Sequence, residues 1–253
     1  MNQGRPLLGA IWTLARTDFK VRYHGSATGF LWAMLKPMCM FAVLLSVFHF
    51  VFDNPDYGLH LVTGVFLYEF FTGATTAGLV ALHTKGYLLT KSDFPRWILV
   101  GTSTTNSLLT LAAASLGIVL YLGFSGRFPS PLGFLLYLFY VSQLALIAFG
   151  LALGGSVLFV RFRDLNQVWE VVAQAGFFVA PVIYPLSAIP ERLHLYLYFW
   201  PPTAVIEFSR QVLTTDTVPS LKGHLLLAGV TATTLLVGVL IYRKFIDRSA
   251  EYL

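Results

Sequence analysis

From Trp97 to Phe124, and again from Pro131 to Val160, the chain carries no Asp, Glu, Lys or Arg, and only a short turn around Gly126-Arg127-Phe128-Pro129 parts the two runs. A hydrocarbon core about 30 Å thick is crossed by roughly 20 apolar residues in a helix, so each run is long enough to span a bilayer. Two such runs joined by a tight turn fit a membrane hairpin better than a soluble core. The rest of the chain agrees, with 56% hydrophobic and 11% charged residues and a mean hydropathy of +0.70, outside the range of soluble domains.

Four further candidates complete a set of six transmembrane helices. The spans are expected at about 30–52, 59–83, 97–124, 131–160, 166–186 and 221–242. Lys36 interrupts the first, Glu69 the second, and Glu170 sits near the start of the fifth. The turn signal Asp53-Asn54-Pro55-Asp56 closes the first. Residues 1–253 thus read as a single all-α integral membrane domain. Lys and Arg beside short loops stay cytoplasmic. With the N-terminus inside, that side collects 13 of the 17 basic residues, leaving Arg127, Arg192, Arg210 and Lys222 outside. Both termini are therefore expected in the cytoplasm. The pI near 9.3 reports topology, and no nucleic-acid motif accompanies it.

Several chemistries are excluded by what the sequence lacks. Cys39 is the single cysteine and lies inside the first span, so no disulfide framework or thiolate cluster is expected. The six histidines show no metal-ligand spacing, and no metal site is proposed from them. Lys91-Ser92 has Thr90 where a phosphate-binding loop needs its second glycine, so ATP is not expected to bind here by that motif. The first twenty residues are amphipathic and lack the short apolar core of a cleavable leader, which is not expected either.

Those residues form a helix expected over 7–22. Leu7, Leu8, Ile11, Trp12, Ala15 and Phe19 share one side and Arg16 and Lys20 the other, with Asp18 an exception on the apolar side. Such a helix lies in the membrane interface, either as an anchor alone or with its polar side receiving a partner. Between Lys20 and Pro37 it runs without a linker through the cationic stretch Arg22, His24 and Lys36, broken at Gly25 and Gly29, into the first span.

After the fifth span, Leu193–Trp200 and Ala204–Leu213 are each too short to cross and are separated by Pro201-Pro202. A hairpin of two short helices over 187–215 is expected, either dipping into the membrane as a lid or capping it as an ordinary external loop. Glu207 and Arg210 stand three apart and are placed to pair. On the cytoplasmic side, 83–96 reads as a small amphipathic helix bearing Lys85, Tyr87, Leu88, Leu89, Lys91 and Arg96, and pairing of Arg161 or Arg163 with Asp164 is expected to fix the turn after span four. Topogenic charge alone also accounts for both. Gly150-x-x-x-Gly154 is read as a close helix contact.

The chain resembles the permease subunits of type-2 ATP-binding-cassette exporters, in the branch that exports lipid-linked polysaccharides such as O antigen, capsule and teichoic acid. The resemblance rests on Arg22-Tyr23-x-Gly25-Ser26-x-x-Gly29-x-Leu31-Trp32-x-x-x-Lys36-Pro37, on Arg161-Phe162-Arg163-Asp164, on Pro181-x-Ile183-Tyr184-Pro185, and on Pro202 followed by Arg210, in this order along the whole length. Lys36 departs from the less basic residue expected at its position. The resemblance implies a homodimer in the bacterial inner membrane, docked on two copies of a separate ATPase subunit that holds ATP and Mg, so that this chain is a transport subunit with no cofactor or catalytic residue of its own. It implies ATPase docking by the interface helix, including Trp12 and Arg16, and by 83–96. It also implies a gate at Pro201, Pro202, Glu207 and Arg210, and a conduit lined from the first and fifth spans of both protomers.

Physical chemistry then nominates residues. A lipid pyrophosphate is at least a dianion, and Arg22 and Lys36, backed by Lys20 and His24, would receive it at the conduit mouth. Trp32, Phe41, Phe48, Phe177, Phe178 and Tyr184 are candidate liners for a sugar chain, although aromatic residues also serve as membrane belts. Glu69 is an acid inside a span, which marks function by default. It is placed to meet sugar hydroxyls, a basic residue of another helix, or water. Two other readings stay open: the same fold carrying a drug, small lipid or haem-like cargo, and a proton-coupled carrier or membrane-embedded transferase. The last would need more intramembrane acids than Glu69 alone.

Overall fold

The computed structural model describes residues 9, 13–18, 20, 29–52, 54, 56–86, 95–124, 126 and 129–249. Among the described residues every regular element is helical: α1 Gly29–Phe48, α2 Tyr57–Leu79, the short α3 Ala81–Thr84, α4 Trp97–Phe124, α5 Pro131–Arg161, α6 Leu165–Val179, α7 Glu191–Tyr198, α8 Pro202–Arg210 and α9 Leu221–Ser249. Residues 13–18 are helical as well. Three helices are long and apolar enough to cross a membrane, over Trp97–Gly123, Pro131–Arg161 and Leu221–Ile246. These are the third, fourth and sixth of the expected spans.

Of the other three, the first and fifth are shorter than expected for local reasons. α1 supplies a shorter apolar helix, Met34–Phe48, and turns over residues 49–52 ahead of the Asn54 to Asp56 bend. α2 is the central post: Leu61, Leu67 and Phe71 have no exposed surface, and α1, α4, α5, α6 and α8 all pack on it. α6 is only 15 residues long, about 22 Å of rise, against the 21-residue span expected there. It stops because Ala180, which precedes Pro181, is driven into extended backbone with ψ 142°.

The expected hairpin region folds as two short helices. α7 and α8 flank the Pro201-Pro202 break, and α8 continues into a π-helical turn over Gln211–Thr215. α8 is not an external appendage. Its Ala204, Val205, Ile206 and Phe208 are buried in the same core as α2 and α5. The chain then enters α9 through Asp216, whose φ is 51° and whose carboxylate accepts from the Ser130 hydroxyl at 2.6 Å. Ser130 in turn caps α5 by accepting from Gly133 N at 3.0 Å.

α5 and α9 meet at backbone contact. A Cβ on Gly238 would lie 2.0 Å from the Gly150 carbonyl oxygen, and one on Gly154 would lie 3.2 Å from the Gly238 Cα. The close contact expected from Gly150 and Gly154 is present, and Gly238 is its third member.

Candidate functional site

Arg210, on the last turn of α8, is buried at 4% exposure. Its Nε donates to the His60 carbonyl at 2.9 Å, Nη2 to the Val182 carbonyl at 2.9 Å, and Nη1 to the Pro181 carbonyl. Glu207 lies 3.9 Å from Nη1. Pro181 and Val182 belong to the non-helical segment after α6, and their carbonyls accept from Arg210 in place of helical amides. One guanidinium therefore ties that segment to α8 and to the first turn of α2. Burial pulls its pKa down to about 10 while Glu207 pushes it up, so Arg210 stays cationic at neutral pH. Room for it comes from Gly64, where a Cβ would stand 2.1 Å from Nη2. Tyr57 adds a bond from its hydroxyl to the Ile183 carbonyl at 2.9 Å.

A second lock joins the hairpin to α6. The Trp200 ring fills the notch at Gly176, whose Cβ would lie 2.3 Å from Cζ2. It packs on Phe71 and Trp169, with centroids 5.9 and 6.4 Å away. Trp169 Nε1 donates to Thr75 Oγ1 at 3.1 Å, and the Tyr68 hydroxyl donates to the Ala173 carbonyl at 2.5 Å. α6 is thus pinned to α2 along Tyr68, Phe71 and Thr75.

The expected conduit liners separate into different roles. Phe177 is buried against Tyr68, with centroids 5.3 Å apart, whereas Phe178, about 100° further round α6, is 63% exposed. Of the two, only Phe178 presents a ring outward. Phe41 packs edge-on against Tyr121 of α4, and Phe48 stacks on Phe52. Tyr184 turns back to donate to the Phe178 and Val179 carbonyls at 3.2 and 2.8 Å, satisfying the end of α6. The Trp32 side chain lies outside the described residues.

Glu69 meets a basic residue of another helix, one of the three partners left open for it. Its Oε2 is 3.1 Å from Lys36 Nζ on α1, with Lys36 76% and Glu69 27% exposed. Of the other expected cargo-mouth cations, Lys20 is helical and exposed. Arg22 and His24 lie outside the described residues.

At the opposite end from the hairpin, two cations expected to dock an ATPase are committed inside the protomer. Lys85 pairs with Asp18 of the N-terminal helix and donates to Thr102 and Ser103 at 3.3 and 3.2 Å. Asp18, the misfit on an apolar face, is there to meet it. Arg96 donates to the Ile246 carbonyl at 3.0 Å, near the C-terminus of α9 where a cation is favoured. Arg16 remains exposed, while Trp12, Tyr87, Leu88, Leu89 and Lys91 lie outside the described residues. Lys85→Ala is expected to weaken the seat of the N-terminal helix by on the order of 1 kcal/mol. Backbone hydrogen exchange over 13–18 should accelerate severalfold, and the exchanged pair Asp18→Lys with Lys85→Asp should restore protection. No acceleration in Lys85→Ala would remove the pair as the seat.

The turn after α5 forms without the expected ion pair. Among the described residues no salt bridge joins Arg161 or Arg163 to Asp164. The Arg161 guanidinium sits over the Phe162 ring at 5.4 Å, and the turn is closed by Phe162 N to Leu158 O at 2.8 Å and Leu165 N to Phe162 O at 3.1 Å. Stacking on its neighbour draws Arg161 away from Asp164.

The sequence reading missed Gly64, Gly176 and the flank of α2 that carries Thr72, Gly73 and Thr76 beside Glu69. The spacing 69, 72, 73, 76 recurs at i, i+3, i+4, i+7, which was a readable signal of one helix face.

Comparison with known proteins gives one family match and three relatives. The family described as ABC-2 type transporter matches residues 9–214. The chain is 28% identical over 250 residues to the O-antigen export system permease protein RfbA of Myxococcus xanthus, covering 96% of this chain and 95% of that protein. It is 26% identical to a protein of the same description from Klebsiella pneumoniae, covering 95% and 93%, and 22% identical to the polysialic acid transport protein KpsM of Escherichia coli, covering 89% of each.

Proposed function

The chain belongs to the ABC-2 type transporter family, and from that premise we propose that it is the membrane-spanning permease of an exporter of lipid-linked polysaccharide. The observation that carries the cargo class is the end-to-end similarity to permeases named for O-antigen export, over 95% or more of this chain, with a polysialic acid transport protein beside them. The chain sits multi-pass in the bacterial inner membrane, six times across, with both termini cytoplasmic. It works as a homodimer. ATP and Mg are bound and hydrolysed by a separate subunit docked under the N-terminal helix and the 83–96 loop.

The geometry supports this division of labour. Lys85 with Asp18, and Arg96 with Ile246, tie the ATPase side of the molecule into one block, leaving the exposed Arg16 to face the partner. At the other end Arg210 and Trp200 bind the hairpin to α2 and α6, so movement of α6 moves the hairpin. α1 and α6 carry outward apolar residues, among them Val43, Val47, Val171 and Phe178, which serve as the faces two protomers turn toward each other around the cargo. The hairpin then acts as the extracytoplasmic gate.

Deleting the gene from its host is expected to abolish cell-surface polymer while lipid-linked polymer accumulates inside, with the wild-type chain restoring export. Purified from membranes, it should bring an ATPase subunit with it. Normal surface polymer in the deletion strain would sink the polysaccharide reading, and a changed drug or small-lipid sensitivity in its place would move the cargo class.

A further inference from the structure

Lys36 and Glu69 lie at the same depth on neighbouring antiparallel helices. Each is twelve residues from the hairpin end of its helix, Phe48 for α1 and Tyr57 for α2, which is about 18 Å of rise in a core about 30 Å thick. An ammonium three-quarters exposed at that depth is costly against hydrocarbon. Lysine can escape by reaching for the headgroups, but Lys36 is held at depth by Glu69 at 3.1 Å. The face around it therefore borders a polar space.

α2 supplies an independent sign of that space. Its Tyr68, Phe70, Phe71, Ala74, Thr75, Gly78 and Leu79 are buried, yet Glu69, Thr72, Gly73, Thr76, Ala77 and Val80 are not. They form one stripe running from the ion pair toward the end of α2 farthest from the hairpin, and Gly73 has nothing within 4 Å of where a Cβ would stand. A lipid-facing stripe would be expected to carry Leu, Val or Phe. Here it begins with an acid and continues through threonine and glycine.

We propose that Lys36 and Glu69, with the Thr72, Gly73, Thr76 stripe leading to them, form a passing site for phosphate-bearing groups inside the membrane. This deepens the export reading above and rests on it. An ammonium has three donors, of which Glu69 takes one, so a phosphate oxygen binds Lys36 without first breaking the pair. The carboxylate repels the same phosphate and keeps the well shallow. A conduit needs both properties: affinity enough to draw the anion off the cytoplasmic surface, and weakness enough to release it.

Cys39 is the chain's single cysteine, exposed and three residues beyond Lys36 on the same side of α1. In the full-length chain in lipid nanodiscs, it should react with both anionic sulfonatoethyl and cationic trimethylammonioethyl methanethiosulfonates. The ratio of anionic to cationic rates should fall about tenfold in Lys36→Gln and rise severalfold in Glu69→Gln. Inertness to both reagents, or a ratio that ignores both substitutions, would overturn the proposal. In cells, the exchanged pair Lys36→Glu with Glu69→Lys should assemble yet export less than a tenth of the wild-type polymer, whereas normal export would make the pair a rivet between helices. Should the exchanged protein not assemble, the thiol rates still decide. If the wild-type chain fails to restore polymer to the deletion strain while the thiol ratios shift as described, the export reading fails and the anion site stands.

Discussion

Arg210→Met should lower the melting temperature in detergent by more than 10 °C and leave little monodisperse protein. Methionine fills the space of the arginine's stem but donates nothing. It strands the His60, Pro181 and Val182 carbonyls and leaves Glu207 without its cation. Each buried acceptor without a partner costs about 1–3 kcal/mol, and breaking a buried pair by removing one member costs about 3–5 kcal/mol. Even with generous relaxation the sum is on the order of 5 kcal/mol, and a domain of this size loses about 2–4 °C for each. Arg210→Lys should recover only a fraction, since one nitrogen cannot reach three carbonyls in the fork geometry.

The mechanism has a sharper test in Gly64. Gly64→Ala puts a methyl 2.1 Å from Nη2 and should destabilise wild-type protein nearly as much as losing the guanidinium. Methionine is too short to reach the place of Nη2, so in the Arg210→Met background only the Val182 carbonyl oxygen at 3.1 Å still crowds the methyl, and the same alanine should cost less. Such strong non-additivity is expected of two residues acting through one contact. Additive losses would show that Gly64 is needed for something other than the arginine.

Why Arg210 could be named from sequence, and its partners could not, is a matter of chemistry. Glu207 is three residues away, and helical spacing points to it. The three carbonyls belong to His60, Pro181 and Val182, and any residue has a carbonyl; nothing in a side chain advertises it. The Lys36 to Glu69 pair was half legible. Glu69 stood out as an acid in an apolar run, but choosing its cation required placing both helices at one depth, which follows once α1 and α2 are seen to pack antiparallel. The apolar runs predicted the long helices α4, α5 and α9 well because length and hydropathy are properties of a segment. They overran α6 because Phe178 to Pro185 is apolar whether helical or not, and Pro181 set the end. Asp18 was visible as a misfit and became intelligible only beside Lys85. The 161–164 turn shows the reverse error: charges adjacent in sequence suggested a pair, while the aromatic ring between them took one partner away.

The other large effect is expected at the seam of α5 and α9. Apolar side chains gain nothing by leaving lipid for one another, so two membrane helices hold through close van der Waals contact and backbone approach. Little of α9 is otherwise buried in the protomer, which makes its glycine contact decisive. A Cβ on Gly238 would sit 2.0 Å from the Gly150 carbonyl oxygen, a backbone atom that cannot swing aside. Gly238→Leu must therefore push the helices apart along the whole contact, an overpacking cost above the usual ~1–3 kcal/mol. Substitution by alanine should grade with the space available: Gly238 worst, then Gly150 with backbone at 2.9 Å, then Gly154 at 3.2 Å, and no effect at Gly229, which has nothing within 4 Å. Thermal unfolding of the four variants reads this order directly. Helix propensity favours alanine at all four positions, so a loss at Gly229 equal to that at Gly238 would mean that added bulk anywhere on α9 disturbs it, and that its contact with α5 is not what holds it.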